Sequence, residues 1–327
     1  MSYLEAGRLA LAEEMRRDPR VWALGEDLGR GGVFGQYRGL QEEFGPERVV
    51  DAPISEAAIM AVAVGAAMAG TRPVVEMRFS DFALCAVDEL VNQAAKARYM
   101  FGGQCRVPLV VREPIGMWRS SAAQHSQSLE AWYVHIPGLV VLAPSTPADN
   151  RALLKAAIRC DDPVVYLEHK NLWPLRGEVP DAEEVAEIGR ARRLRFGEDL
   201  TIVSWSATVH AAADAAEALA EEGISVDLLD LRSLWPWDRE AVLESVARTG
   251  RLLVAHEAVR VAGFGAEVAA TVAEELGVPV ARLGAPRVPV PYSPPLEAEL
   301  HVRPEAIAAA ARRLLERRAT PCDPQRR

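Results

Sequence analysis

The strongest constraint in this sequence is a rhythm. Short, continuous apolar runs recur along the whole chain, each followed by a stretch with helical spacing. "VWALGED", "RVVDAP", "RPVVEMRF", "VPLVVREP", "LVVLAP" and "PVVYLEH" read as strands. A helix at Leu4–Arg17 precedes them, and "AVDELVNQAAKARYM", "SLEAWYVHI" and "TPADNRALLKAAIR" read as helices between them. The last has Thr146 as its N-cap and Pro147 at its first helical position. A strand that is apolar on both sides has to be covered on both sides. The pattern therefore predicts an α/β chain with mostly parallel sheets flanked by helices.

The rhythm breaks once. "PLRGEVPDAEEVAEIG", residues 174–189, is charged and carries two prolines, so it reads as a linker. After it come "LTIVSWS", a helix, "ISVDLLD", a helix, "RLLVAHE", the helix "GAEVAATVAEEL", the strand "VPVARLG" and a closing helix at Pro304–Arg318. The expected division is a first domain at 1–175, a linker at 176–190 and a second, smaller domain at 191–327, with the tail "RRATPCDPQRR" frayed. A length of 327 residues suits two domains.

The net charge of −9 argues against nucleic acid as a partner, because phosphate binding wants a basic face. Cys85, Cys105, Cys160 and Cys322 form no C-x-x-C pair, no zinc spacing and no disulfide framework. That fits a reducing, cytoplasmic setting. The N-terminus is amphipathic and carries acids, unlike a signal peptide. The apolar run after Glu56 is too short to cross a bilayer, which needs about 20 residues; it reads as a buried helix.

Few residues announce chemistry. "GRGGVFG" fails as a dinucleotide loop, because Phe34 stands where the third glycine would be. There is no P-loop and no G-x-S-x-G elbow. Glu56 heads "EAAIMAVAVGAAMAG", a run without another charge before Arg72. In a first helical turn an acid complements the dipole by about 0.3–1 kcal/mol, which is the ordinary reading. Buried with its helix, it would instead be a carboxyl of raised pKa, suited to a ligand nitrogen. His125 lies in the polar turn "SSAAQHSQSLEAW" and is either a proton-transfer group or a loop-fixing one. Phe79 and Phe82 follow a strand end, where α/β sheets tend to hold ligands; either could stack on a flat ring or simply pack.

Several blocks taken together resemble one family. They include "LGEDLG", "ERVVDAPISEAAIMAVAVGAAMAGTRPVVE", "VDELVNQAAKARYMFGGQ", "AAQHSQSLEAWYVHIPGLVVLAPSTPADNRALLKAAIRCDDPVVYLE" and "HEAVRVAGFGAEVAA". They occur in order over nearly the whole chain and resemble the beta subunit of thiamine-diphosphate-dependent 2-oxoacid dehydrogenases, the pyruvate, acetoin and branched-chain enzymes. The resemblance implies a pyrimidine-binding domain followed by a transketolase C-terminal domain. It implies thiamine diphosphate shared with an alpha subunit that holds magnesium, an alpha-two-beta-two heterotetramer, and a lipoyl acyltransferase or other acyl carrier as partner. The chain would be inactive alone.

Carried onto this sequence, Glu56 would bond the pyrimidine nitrogen and promote its imino tautomer. Phe82 would flank that ring, with Arg78 near the cofactor, and His125 would serve proton transfer. Leu109, Ala157, Ile158, Cys160 and Asp162 match positions that hold a structural potassium in some members. There are departures: Arg78 stands where Met or Gln is usual, Trp118 and Arg119 where a glycine-rich loop is usual, and Cys160 where Asp is common. The expected activity is oxidative decarboxylation of a pyruvate- or acetoin-type substrate with acyl transfer to a lipoyl group. The alternatives are a branched-chain subunit, a two-component transketolase-like enzyme moving a two-carbon unit to a carrier protein, and a non-catalytic pseudo-subunit. The small residues after Glu56 would suit a subunit interface as well as a core.

Overall fold

The computed structural model describes residues 1–182 and 184–316, so the tail and the last part of the expected helix to Arg318 lie outside the described residues. The apolar runs form strands at the expected places. In the first half these are β1 (Val21–Gly25), β2 (Val49–Asp51), β3 (Arg72–Glu76), β4 (Val110–Ile115), β5 (Val140–Leu142) and β6 (Val164–His169). In the second half the expected runs form β8 (Leu200–Ser204), β9 (Val226–Asp230), β11 (Leu252–Val259) and β12 (Val280–Ala285), and two further strands, β7 (Arg192–Arg195) and β10 (Ser233–Trp235), join them.

Two sheets result, ordered β10-β5-β6-β4-β3-β1-β2 and β12-β11-β8-β9-β7. Every neighbouring pair is parallel except β10 with β5 and β7 with β9, which are antiparallel at sheet edges. Those two short strands escape the sequence pattern: "SLW" and "RRLR" are too short or too charged to show a strand period. Strand β10 also carries the second half of the chain into the first sheet.

Helices Tyr3–Arg17 and Pro147–Arg159 cover one face of the first sheet, with Leu11, Met15, Leu153 and Leu154 in its core. Thr146 caps the second of these, its hydroxyl accepting from the Asp149 N–H at 3.2 Å. Helix Glu56–Met68 and a π-helical turn at Glu89–Ala94 cover the other face.

The expectation that helix Glu56–Met68 is buried is only half met. Ile59, Met60, Ala63, Val64 and Ala67 face the core, but Ala57, Ala58, Ala61, Val62, Gly65 and Met68 are exposed. A helix apolar all round gives no signal for which face meets the core and which awaits another surface.

The halves are bound together by charge as well as by β10. Asp149 pairs with Arg192 at 3.0 Å and Arg232 at 2.9 Å, and Ser145 donates to Asp230 at 2.5 Å. Among the described residues no helix is long and apolar enough to cross a membrane.

Candidate active site

The residues of interest lie along one edge of the first sheet, just beyond the carboxyl ends of β6, β4, β3, β1 and β2, which are consecutive neighbours. Lys170 follows β6. The loop carrying Trp118 and His125 follows β4. Arg78, Phe79 and Phe82 follow β3, Glu26 and Asp27 follow β1, and Glu56 opens the helix after β2. This is the crevice where open α/β sheets hold ligands.

The structure brings His125, Phe79 and Phe82 into one group. The His125 ring lies 4.8 Å from Phe79 and 5.3 Å from Phe82, both edge-to-face, and the two phenyl rings are 5.4 Å apart. All three side chains are partly exposed, so a flat ligand can reach them. Arg78 turns to the acids after β1, at 3.2 Å from Glu26 and 3.3 Å from Asp27. Burial pushes the Glu26 carboxyl up; Arg78 pulls it down, and the charge of Glu56 pushes it further up. Glu56 is thus within electrostatic reach of this corner. Its side chain is half-exposed, and among the described residues it makes no hydrogen bond or ion pair. The desolvated acid expected from a fully buried helix is therefore not found in this chain by itself.

Behind the aromatic group is a layer that brings Phe34, Trp118 and Arg119, noted separately in the sequence, together with Trp173, which the sequence did not single out. Phe34 packs on Phe79, Trp118 and Trp173 at 5.9, 5.6 and 4.4 Å. Arg119 lies over the Trp118 ring at 5.1 Å. The loop is tied to the second half of the chain: the Met117 N–H donates to Glu257 at 2.8 Å and the Ser120 N–H to Glu297 at 3.2 Å. His169 accepts at Nδ1 from the Asn171 N–H (3.1 Å), so its Nε2 carries the proton and donates to Glu257 (3.0 Å). Burial alone would raise the Glu257 carboxyl, but His169 and the Met117 N–H outweigh it and hold it low. Gly116, with φ +92°, is needed here: a Cβ would stand 2.0 Å from the His169 ring. His169 ends β6 and Lys170 follows it, so the one available sequence signal for either was a place at a strand end, the signal that marked Phe79.

The five potassium-type positions lie elsewhere, across the first sheet's other end. The Leu109 carbonyl accepts from the Val164 N–H at 2.8 Å. The Ile158 and Cys160 carbonyls both accept from Arg72 Nη1 at 2.9 Å, and Asp162 accepts from Arg98 Nε at 2.5 Å. Arg72 thus already brings a positive charge to two of the five, and a cation there would have to use their remaining lone pairs. A separate apolar cleft of 1120 Å³, lined by Trp132, Val261 and Val288 among others, holds none of Glu56, Arg78, Phe82 or His125.

Two parallel-sheet units, with an aromatic and acidic crevice at the strand ends of the first, define a transketolase-like protein. Residues 1–176 match the transketolase pyrimidine binding domain, and residues 189–307 match the transketolase C-terminal domain. The chain is 45% identical over 323 residues to a 2-oxoisovalerate dehydrogenase subunit beta of Bacillus subtilis, covering 97% of this chain and 99% of that one. It is 44% identical to an acetoin:2,6-dichlorophenolindophenol oxidoreductase subunit beta of Cupriavidus necator (94% and 95% covered). It is also 44% identical to a mitochondrial pyruvate dehydrogenase E1 component subunit beta-2 of Oryza sativa (96% and 86% covered). A solved structure described as a split gene transketolase, inactive beta4 tetramer, superposes with a TM-score of 0.80 at 26% identity, covering 96% of this chain and 98% of that one. The chain belongs to the family of 2-oxoacid dehydrogenase E1 beta subunits, in the transketolase superfamily. Identities of 45, 44 and 44% do not separate the substrate branches.

Proposed function

We propose that this chain is the beta half of a heteromeric enzyme that oxidatively decarboxylates a 2-oxoacid with thiamine diphosphate and passes the acyl unit to a lipoyl carrier. The observation that carries the reading is the crevice itself. His125 touches Phe79 and Phe82 at one strand end, and Glu56 opens the helix after the outermost strand of the same edge. The donor set fits an aminopyrimidine: a flat apolar wall, and a carboxylate without another partner among the described residues.

Thiamine diphosphate would supply the electron sink for loss of carbon dioxide. The chain's own residues do the rest. Phe82 would hold the flat face of the pyrimidine ring. Glu56 would hold a proton at its carboxylate for a ring nitrogen. Arg78, locked to Glu26 and Asp27, sets the charge at that corner. His125 moves a proton at the reacting end.

The reading includes an alpha subunit that contributes magnesium and the diphosphate site, an alpha-two-beta-two assembly and a lipoyl acyltransferase. The family matches support a division near residues 176–190. Unpaired Cys85, Cys105 and Cys160 fit a reducing compartment, and we place the protein in the cytoplasm; cell fractionation tests this. Potassium is retained as a stabiliser beside Arg72: replacing K⁺ by tetramethylammonium should lower Tm, and an unchanged Tm removes it.

The decisive experiment is co-expression with the alpha subunit and an assay of 2-oxoacid-dependent dye reduction with pyruvate, 2-oxoisovalerate and acetoin. Glu56→Gln in that complex should lower kcat by on the order of 100-fold or more, with Tm unchanged. Wild-type kcat in the variant overturns the role of Glu56. No reduction with any substrate overturns the reading.

A further inference from the structure

Lys170 is a buried lysine that the chemistry above does not use. It is fully buried, at 0% exposure, in the turn directly after β6. Its Nζ donates to the main-chain carbonyl of His125 at 2.5 Å and lies 5.0 Å from the centre of the Phe79 ring. Phe79 in turn touches the His125 imidazole. One ammonium therefore holds both the backbone of the histidine and the ring against which the histidine rests.

Among the described residues no other hydrogen bond reaches that carbonyl. The loop's other ties lie to either side: Met117 and Ser120 to Glu257 and Glu297, and Gln127 to Asp81 at 2.8 Å. The support is rigid, because β6 pairs with β4 through His169 and Ile115, the last residues before the turn and the loop. Lys170 bridges the ends of two adjacent strands.

A lysine kept only for packing would not need to be charged. Taking an ammonium out of water costs several kcal/mol unless it is paired, and a methionine would fill the same space. The acids that face Lys170 come from three elements: Asp81 from the helix Ser80–Ala83, Glu257 from β11 and Glu297 from the helix Pro294–Ala298. Burial outweighs the upward pull of these acids and holds the Lys170 ammonium down at about 8. Asp81 and Glu297 each bond the loop through one oxygen, while Asp81 Oδ2 and Glu297 Oε2 are buried without a hydrogen-bond partner among the described residues, so these acids act on Lys170 through charge and not through a direct bond to it.

We propose that Lys170 is a positioning residue for His125: its bond to the His125 carbonyl and its contact with Phe79 fix the imidazole against that ring. This works through placement of the ring. This rests on the proton-transfer role given to His125 above.

The test uses Lys170→Met, which keeps the stem and drops the charge, and Lys170→Arg, which keeps the charge. Both are made in the complex with the alpha subunit. Lys170→Met should lower kcat about 10–100-fold with KM within about twofold. Lys170→Arg, which can still donate to the His125 carbonyl, should recover most of that loss. A second readout does not depend on activity: the His125 ring signals, assigned by their loss in His125→Gln, are followed by NMR in the full chain. Held edge-to-face with Phe79 and Phe82, they carry a ring-current shift that should shrink in Lys170→Met and return in Lys170→Arg. If Lys170→Met does not fold, Lys170→Gln is read in the same way. A lower Tm with unchanged kcat and unchanged His125 shifts overturns the proposal. Inactive wild type with His125 signals that move in Lys170→Met fails the functional reading and leaves the positioning intact.

Discussion

At the residue scale, His256 shows how burial turns a titratable group into a pH-dependent stability term. It lies on β11, stacked on Trp205 at 5.0 Å, and is pressed by backbone at Gly263, Gly265 and Gly284. A Cβ at any of the three would come within about 3 Å of the ring. Burial pushes the imidazole down to about 4 from its ordinary 6.5. The unfolded chain takes up a proton at pH 6.5 and the folded chain only near 4. The stability from keeping His256 neutral is therefore whole above pH 6.5 and is lost as pH falls to 4, up to about 3 kcal/mol. Three buried acids act in the opposite direction. Burial raises Glu76 and Asp230 to about 7 and Glu113 to about 8, so their stability is whole below pH 4 and lost as pH rises through those values. The raw stability curve mixes both signs. The difference between wild type and His256→Phe isolates the histidine: it should shrink as pH falls from 7 to 4, measured by urea unfolding. A difference independent of pH would show that the imidazole is not neutral in the fold.

At the element scale, the loop after β4 departs from what its sequence favours. Arg119, Ser120 and Ala122 all have positive φ, at +47°, +57° and +61°, without being glycine. Each such residue costs about 1–2 kcal/mol, and the aromatic stack offsets it. Trp118 packs on Phe34 and Trp173, and Ser121 ties back to the Trp118 carbonyl at 3.0 Å through its N–H. Because Phe34 connects Trp118 to Phe79, this wall adjoins the group formed by Phe79, Phe82 and His125. Trp118→Ala should raise kcat/KM for 2-oxoisovalerate relative to pyruvate by about tenfold, the worth of a methylene or two of new space. An unchanged ratio would place the wall outside the acyl pocket. Here the sequence was legible in part. The β6 run, the Thr146 cap and the strand-end position of Phe79 could be read from apolar continuity and turn chemistry, which are local. Lys170, Glu257 and Glu297 could not. They reach the site from other strands and from the second half of the chain, and nothing local distinguishes a lysine after "LEH" from a solvated one. The left-handed turns at Arg119 and Ser120 were unreadable for the same reason: only the packing of Trp118 makes them tolerable.

At the scale of the whole molecule, the apolar surface left uncovered is as informative as the core. Helix Glu56–Met68 exposes Val62 at 57% and Met68 at 45%, and the preceding Ile54 is 75% exposed. A second surface, at the end of the helix Ala95–Met100, exposes Tyr99 at 87%, Met100 at 72% and Phe101 at 55%. Large exposed apolar groups in a stable chain mark a contact surface. The first of these starts at Glu56, so under the proposed assembly a subunit that covers the helix would also close over the carboxylate and remove it from water. That would supply the desolvation that the isolated chain lacks, and with it a physical reason for the proposed activity only in the assembly. Methionine oxidation reads this directly, because a thioether exposed to peroxide becomes a sulfoxide and a buried one does not. In the chain alone, Met68 and Met100 should oxidise quickly, while Met60 and Met77, at 0% and 2% exposure, remain reduced. On assembly with the alpha subunit, Met68 should become protected in step with the appearance of activity, followed by peptide mass spectrometry. Rapid oxidation of Met68 in a fully active complex would mean that the helix faces solvent there too. Glu56 would then have to work half-exposed, and the small residues behind it would need another explanation.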